Sequence, residues 1–402
     1  MRISLLDPKT YVAATAGAVA CLAAAAPAQT SLQDATPGQI VTDHGLELSE
    51  DAIPRIDVQR EPGEDVSLIL SDKPEYFRTG NGVALREDIE PGRHRFYLYH
   101  VPEPTGEKKT ITAWIENRGD QPLTIDYEKS VFPKIGGDYH RIGKEGLVGF
   151  LGADDRVERS VELPPGSGAA FDPALEGLTA TKDQLVHGFY QFTTDQPARL
   201  WVLQRDPGQH TGKALDQLEL LPQVLPGFHP SGAGRGVFPR ADFTVTPVDE
   251  EFEYRTSMGP RQVILADGET DPWIQGHDGI SGEAILNKGN YGVTYRISLP
   301  WDSDDGRGVA VLVYNSRAGG QWCGYQATAL HVSDGVFPAG VVAAPSEQQR
   351  HGAPPEAVLI QRYAAEDAGT IELTFSPPGA SCLPVPIVLL PIDAASPTAA
   401  AK

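Results

Sequence analysis

Cysteine is scarce in this chain: three of 402 residues, at Cys21, Cys323 and Cys382. Positive charge is short as well, since 33 Lys and Arg stand against 54 Asp and Glu, for a net charge of −21. Such a surface repels phosphate backbones and anionic headgroups, which excludes nonspecific binding to nucleic acid or acidic lipid. Lysine is rarer than arginine, 11 residues against 22, which fits an acidic, salt-tolerant surface or simply genomic composition. The ten histidines are scattered, with no His-x-His, no His-Glu-x-x-His and no Cys/His cluster. The local spacings that zinc sites use are therefore missing. Beyond residue 26 no apolar run is long enough to span a bilayer, so no integral membrane segment is expected in the mature chain.

Glycine and proline are abundant instead, 42 and 34 residues, together about 19% of the chain where ~12% is usual. Hydrophobic residues still make up 40%, enough to bury a core. Many breakers with full apolar content point to short strands joined by turns.

The first 28 residues read as an export signal. Arg2 and Lys9 give a positive start, Tyr11 to Ala26 is uncharged and Ala-rich, and Ala26-Pro27-Ala28 is a small-x-small cleavage site. The rival is a lipoprotein signal cut before Cys21, but Leu22 to Ala26 would then follow the lipid where a polar tether is usual. Either way the protein is expected to be exported, to the periplasm, the cell surface or the medium. Cleavage after Ala28 removes Cys21 and leaves Cys323 and Cys382 as an even pair, expected to form a disulfide in an oxidising compartment. Closing that loop would contribute about 4 kcal/mol in the chain-entropy account.

Residues 29–63 hold no clear periodicity but many carboxylates with Pro37, Pro54 and Pro62, and they read as a solvated acidic linker. From Val66 the pattern becomes β. Ile111, Ala113 and Ile115 alternate with Thr112, Trp114 and Glu116, and after a turn at 117–122 Leu123, Ile125 and Tyr127 alternate likewise, which predicts a hairpin. Residues 188–193 and 198–204 predict a second hairpin, and 215–221 a short helix. The Pro/Gly-rich stretch 222–236 suggests a boundary near residue 228. Beyond it, alternation through Tyr291, Val293, Tyr295, Ile297 and Leu299 and the wholly apolar run 309–314 predict more strands, the latter central. The expected fold is all-β: two tandem β-sandwich domains, Ig-like or jelly-roll-like, at 64–227 and 228–393, the second closed by the disulfide, with a disordered tail at 394–402. A true immunoglobulin domain is not expected, because no Trp lies between Cys323 and Cys382.

No catalytic constellation emerges, and the chain is not expected to be an enzyme. Gly279-Ile280-Ser281-Gly282 lacks the second glycine of a nucleophile elbow, since position 283 is Glu. Asp302, Asp304 and Asp305 before Gly306 suggest a calcium loop, although the glycine comes early and no Glu closes it. A polar turn is the plainer reading. Arg118-Gly119-Asp120 lies where a turn needs glycine anyway. The long loop 266–289 is the best binding candidate, with Trp273 beside Asp271 and Asp278 suited to stacking on and hydrogen-bonding a sugar. Its plain alternative is a Trp that pins the loop down. Trp114, on the polar face of its strand, is a second contact candidate, or is covered by the leader or the other domain.

The tracts 265–273, from Leu265-Ala266-Asp267-Gly268 to Pro272-Trp273, and 286–295, from Leu286-Asn287-Lys288-Gly289 to Thr294-Tyr295, resemble a family of secreted bacterial proteins without an established activity. Some of its members carry an appended copper-amine-oxidase-like N-terminal domain. The Gly234 to Asp242 tract and the turn at 117–122 fit the same resemblance, which implies a secreted β-sandwich and transfers no catalytic residue. The oxidase activity is not implied: Asn290-Tyr291 is followed by Gly292 rather than an acid, and the His-x-His ligand pair is missing. The leading expectation is a noncatalytic binding or structural protein of the envelope, partnered by an envelope protein or glycan. The alternatives are a glycan-binding module or weak glycan-active enzyme using the 266–289 loop, and calcium-dependent adhesion.

Overall fold

A computed structural model describes residues 30–103, 107–317, 328–332, 340–344 and 355–393. The chain is mostly β, 44% strand and 9% helix, in four antiparallel or mixed sheets, consistent with β-sandwich packing. Cys382 is buried, and Cys323, its expected partner, lies outside the described residues, as do the expected export signal at 1–28 and the expected disordered tail at 394–402. Among the described residues no helix is long and apolar enough to cross a membrane.

The alternating segments are strands, but the two expected hairpins are not hairpins. Thr110–Asn117 lies in a four-stranded sheet with Gly168–Ala170, Ala198–Arg205 and Gly82–Ile89. Leu123–Val131 lies in the facing nine-stranded sheet, beside Val186–Thr194 and Arg159–Leu163. The turn at 117–122 therefore crosses from one sheet to the other, and so does the turn after Thr194. Asn117 holds the first crossing by donating from Nδ2 to the carbonyls of Gln121 and Leu163. Ile111, Ala113, Ile115, Leu123, Ile125 and Tyr127 still share one core, facing each other across the sandwich instead of lying side by side.

The second sandwich is built from a five-stranded sheet around Gly308–Tyr314 and a seven-stranded sheet around Thr294–Asp302. Strand pairing crosses the boundary expected near residue 228. Arg235–Phe238 pairs with Val66–Ser71, and the hairpin of Gln275–His277 with Ala284–Leu286 extends the nine-stranded sheet further. The other face of that sheet, through Leu68, Tyr97, Tyr99 and Phe189, joins the core of the second sandwich. The halves are thus fused through a shared sheet.

Residues 29–63, expected as a solvated linker, are structural from Thr30 onward. Ile40–Val41 pairs with Ala357–Tyr363, and Val58–Pro62 pairs with Asp242–Pro247. Leu32, Ala35, Val41 and Ile53 cover Ala310, Leu312 and Tyr314, the outer face of the central strand. A strand apolar on both faces needs both faces buried, and this segment supplies the second cover.

One helix has no strong sequence signal. Tyr139–Gly152 starts at Asp138, whose side chain accepts from the Arg141 N–H, and it contains Gly143, Gly146 and Gly149. Those residues lower helix propensity, yet their missing side chains allow close approach. A Cβ at Gly146 would sit 2.3 Å from His187 Nε2, and one at Gly143 would sit 2.1 Å from the Gly379 carbonyl. Phe150 then stacks on Phe189 at 3.8 Å between ring centroids. The short helix expected at 215–221 instead occupies Thr211–Leu215, and Leu220 bridges to Val83.

Candidate functional site

The 266–289 segment, expected as one long loop, carries the Gln275–His277 and Ala284–Leu286 hairpin, and left-handed backbone at Ala266 (φ 56°) and Asn290 (φ 51°) brackets it. That conformation is unfavourable for alanine and must be held by surrounding bonds. Asp271 is the clasp. Its Oδ2 accepts from the Ala266 N–H at 2.7 Å and from the Tyr295 hydroxyl at 2.6 Å, while Oδ1 pairs with Arg60. Asn290 accepts from the Ile274 N–H and donates to the Tyr295 hydroxyl, closing the ring of contacts. Asp267 accepts from the N–H groups of Glu269, Thr270 and Asp271, which shapes the turn before Trp273.

Asp278 is the second internal anchor. It is fully buried against Arg235 at 3.0–3.1 Å, and it also accepts from Gln223, Ser281 and the Ile280 N–H. Asp271 and Asp278 were expected to meet a ligand beside Trp273, but both point inward and spend their oxygens on the protein. The burial of a carboxylate demands such partners, which explains the inversion. Ser281 likewise donates to Asp278 and is a loop serine.

Trp273 is half-buried, its ring against Gly268, where a Cβ would come within 2.6 Å. It lines a surface cleft of about 350 Å³ with Pro239, Pro272, Phe243, Arg60 and Arg240. Arg60 lies 4.8 Å over the Phe243 ring and is held by Asp271 and the Pro272 carbonyl. Arg240 is the looser cation, with one ion pair to the exposed Asp65 at 3.1 Å. The cleft is lined by the indole and prolines, with the Arg60 guanidinium over the Phe243 ring and Arg240 on the same lining.

Trp114 is not part of this cleft. It pairs across strands with Trp201, packs edge-on to His210 at 5.5 Å, and lies under Gly212, where a Cβ would come within 2.8 Å of the ring. Its cover is the Thr211–Leu215 helix, not the leader. Asp302, Asp304 and Asp305 do not converge on a cation position. Asp304 accepts from the Ser257 N–H and hydroxyl, while Asp305 accepts from Thr256 and pairs with Arg307, so these carboxylates secure the 256–258 turn. Hydrogen bonds from Ser257 hold Asp304 below the usual carboxylate range, and those from Arg307 do the same for Asp305. Among the described residues no group of three or more His, Cys, Asp or Glu is placed to hold a metal ion.

Sequence reading missed a set of buried ionisable groups. Burial pushes Glu75 up to about 7, against hydrogen bonds from Ser231 and Gly232, and carries Asp72 well above its usual value with Glu75 repulsion adding to it. Burial also raises Glu87 to about 7, opposed by the Gly279 N–H bond and reinforced by Asp278. His94, His100 and His187 are pushed down to about 4 by burial. Nothing in local sequence marks them, because their burial comes from the packing of distant segments.

The pH dependence follows. A raised carboxyl contributes stability fully below its unfolded pKa, near 4.5, and loses it as pH rises through its folded value, near 7. Glu87→Gln should therefore match the parent near pH 4.5 and be more stable at pH 8, by up to about 3 kcal/mol. Urea unfolding at both pH values checks this. The buried histidines act in the opposite direction but are common to both proteins, so they cancel in the comparison. An equal difference at both pH values would show that Glu87 does not titrate upward.

No family model matches the chain, and no curated protein is significantly similar. Among solved structures, dimeric latent PorU from Porphyromonas gingivalis aligns at 8% identity over 89% of this chain and 23% of PorU, with a TM-score of 0.12. A variant of salicylate 1,2-dioxygenase from Pseudoaminobacter salicylatoxidans aligns at 8% identity over 75% of this chain and 71% of its own, with a TM-score of 0.10. A variant oxalate decarboxylase from B. subtilis aligns at 9% identity over 83% and 78%, with a TM-score of 0.11. Scores this low mean that no fold or activity follows from these three likenesses.

Proposed function

We propose that this chain is an exported, noncatalytic binding protein of the cell envelope, built from fused Ig-like or jelly-roll-like sandwiches, whose ligand is a glycan held at Trp273. The observation that carries the reading is the Trp273 cleft. The Trp273 indole and two prolines line it, Arg60 covers the buried Phe243 ring, and Arg240 completes the lining. A sugar ring offers an apolar C–H face to such a lining, and an acidic sugar would add a carboxylate for Arg240. The carboxylates expected to hydrogen-bond the sugar are instead the internal framework that holds the indole in place. The export-signal pattern read at 1–28 supports the location. Calcium-dependent adhesion loses its support, because Asp304 and Asp305 already serve the protein.

A polysaccharide panel containing neutral and uronic-acid polymers, read by intrinsic Trp fluorescence and pull-down, tests this. Trp273→Ala should weaken binding by about tenfold, a loss of about 1.4 kcal/mol for one aromatic contact. Trp114→Ala should leave it unchanged. Binding that survives Trp273→Ala moves the site elsewhere, and no binding across the panel ends the glycan reading.

A further inference from the structure

A second concavity, about 700 Å³, shares no lining residue with the Trp273 cleft. One wall is the crossover segment through Leu220 and Val224. The other is the strand Ala284–Leu286, which ends the nine-stranded sheet among the described residues, with the Lys288 N–H just beyond it bonded to the Ala233 carbonyl. Leu220, Val224 and Leu286 are 38%, 42% and 41% exposed, a set of apolar side chains left open around one groove. An open sheet edge beside an apolar wall is a hazard that soluble proteins usually cover or charge.

The groove also holds two cations in an acidic molecule. Lys73 and Lys288 line it, and among the described residues neither makes an ion pair with a carboxylate. Arg235, on the same lining, is fully committed to Asp278 and two backbone carbonyls. Lys73 is half-buried, and its ammonium sits below its ordinary value, first through burial and then through repulsion from Lys288, with Asp72 opposing. A bound carboxylate would relieve that repulsion. Glu283 stands beside Ser281 on the same lining and carries the opposite charge.

We propose that this groove docks an extended acidic peptide segment of a partner protein, which adds as a strand along Ala284–Leu286. Its apolar side chains meet Leu220, Val224 and Leu286, and one carboxylate lies between Lys73 and Lys288. The sheet edge selects a peptide over a glycan, because only another backbone supplies donors and acceptors at strand spacing. The lysines select the acidic sequence, through steering and register more than through raw affinity.

The test uses the mature chain and a fluorescein-labelled peptide of alternating valine and glutamate, read by anisotropy. The valine–lysine counterpart and polygalacturonate are the comparators. The acidic peptide should bind, more weakly as salt rises, and its binding should protect the amides at 284–286 from hydrogen exchange. Lys288→Glu, at an exposed position, should lower affinity at least tenfold, and Lys288→Gln should lower it less. Trp273→Ala should leave peptide binding unchanged, so failure here and failure of the glycan reading are separable. The proposal is overturned if the acidic peptide does not bind, if the lysine counterpart binds equally, or if Lys288→Glu binds as well as the parent. It also falls if polygalacturonate occupies the groove in place of the peptide, or if the 284–286 amides gain no protection.

Discussion

Asp278→Ala is expected to destabilise the protein by about 3–5 kcal/mol, because it strands a buried guanidinium. Arg235 would keep its bonds to the Ala84 and Leu221 carbonyls but lose every carboxylate contact. Burial alone would raise the Asp278 carboxyl, yet hydrogen bonds from Arg235 and Gln223 hold it below the usual range. Its contribution is therefore present at neutral pH and lost as pH falls through that depressed value. The loss should be global, since Arg235 ties together the strand Gly82–Ile89, the crossover at Leu221 and the 275–286 hairpin. Urea denaturation at pH 7 gives the number. Replacing both partners, as in Arg235→Met with Asp278→Leu, should recover much of the loss, because no unpaired charge remains. A change below about 1 kcal/mol for Asp278→Ala would mean that water reaches Arg235 and that the pair does not anchor the loop.

Asp242→Ala should have an effect of similar size, about 3–5 kcal/mol, at the seam between the two sandwiches. Asp242 is buried and accepts from Arg95 Nη2 at 2.8 Å and from Arg296 Nε at 3.1 Å. Arg95 reaches across the seam from strand Gly92–Pro102. It donates to the Ala241 and Gly292 carbonyls, to Thr294 and to Gln191, and its guanidinium lies 5.0 Å from the centre of the Phe150 ring. Removing Asp242 leaves one wholly buried cation and one half-exposed cation without their shared carboxylate. A double-mutant cycle with Arg95→Met isolates the coupling. The two single variants should sum to clearly more than the double variant. Additive effects would show that the pair is incidental to the joint.

Much of the burial pattern was legible in the sequence. The alternations at 111–115 and 123–127 identified the buried apolar side chains correctly, although Thr112 on the opposite face is buried as well, and the two-faced apolarity of 309–314 correctly implied a central strand. What covers the second face was not legible. Leu32, Ala35, Val41 and Ile53 are dispersed among carboxylates and prolines, too irregularly for any period to register. The helix at 139–152 was hidden for a related reason: its glycines argue against a helix in isolation and become favourable only against His187 and Gly379.

The site shows the same division. The 266–289 loop was visible as a long, chemically rich segment, and Trp273 does line a cleft. Asp271 and Asp278, adjacent to it in sequence, are turned inward by partners 211 and 43 positions away, Arg60 and Arg235. Arg240 and Phe243 enter the cleft from a strand region that nothing local connects to Trp273.

The scarcity of cysteine and positive charge, the export-like pattern at 1–28 and the two-residue alternation belong to the sequence alone. They establish an acidic chain expected to be exported, and they mark the apolar faces of the regular strands. The tertiary structure decides which strands pair, which carboxylates face water and which surfaces stay open. Alternation records only that one side of a strand is dry. Whether the opposing residues lie beside it or across a sandwich depends on long-range packing, which leaves no mark in the local pattern.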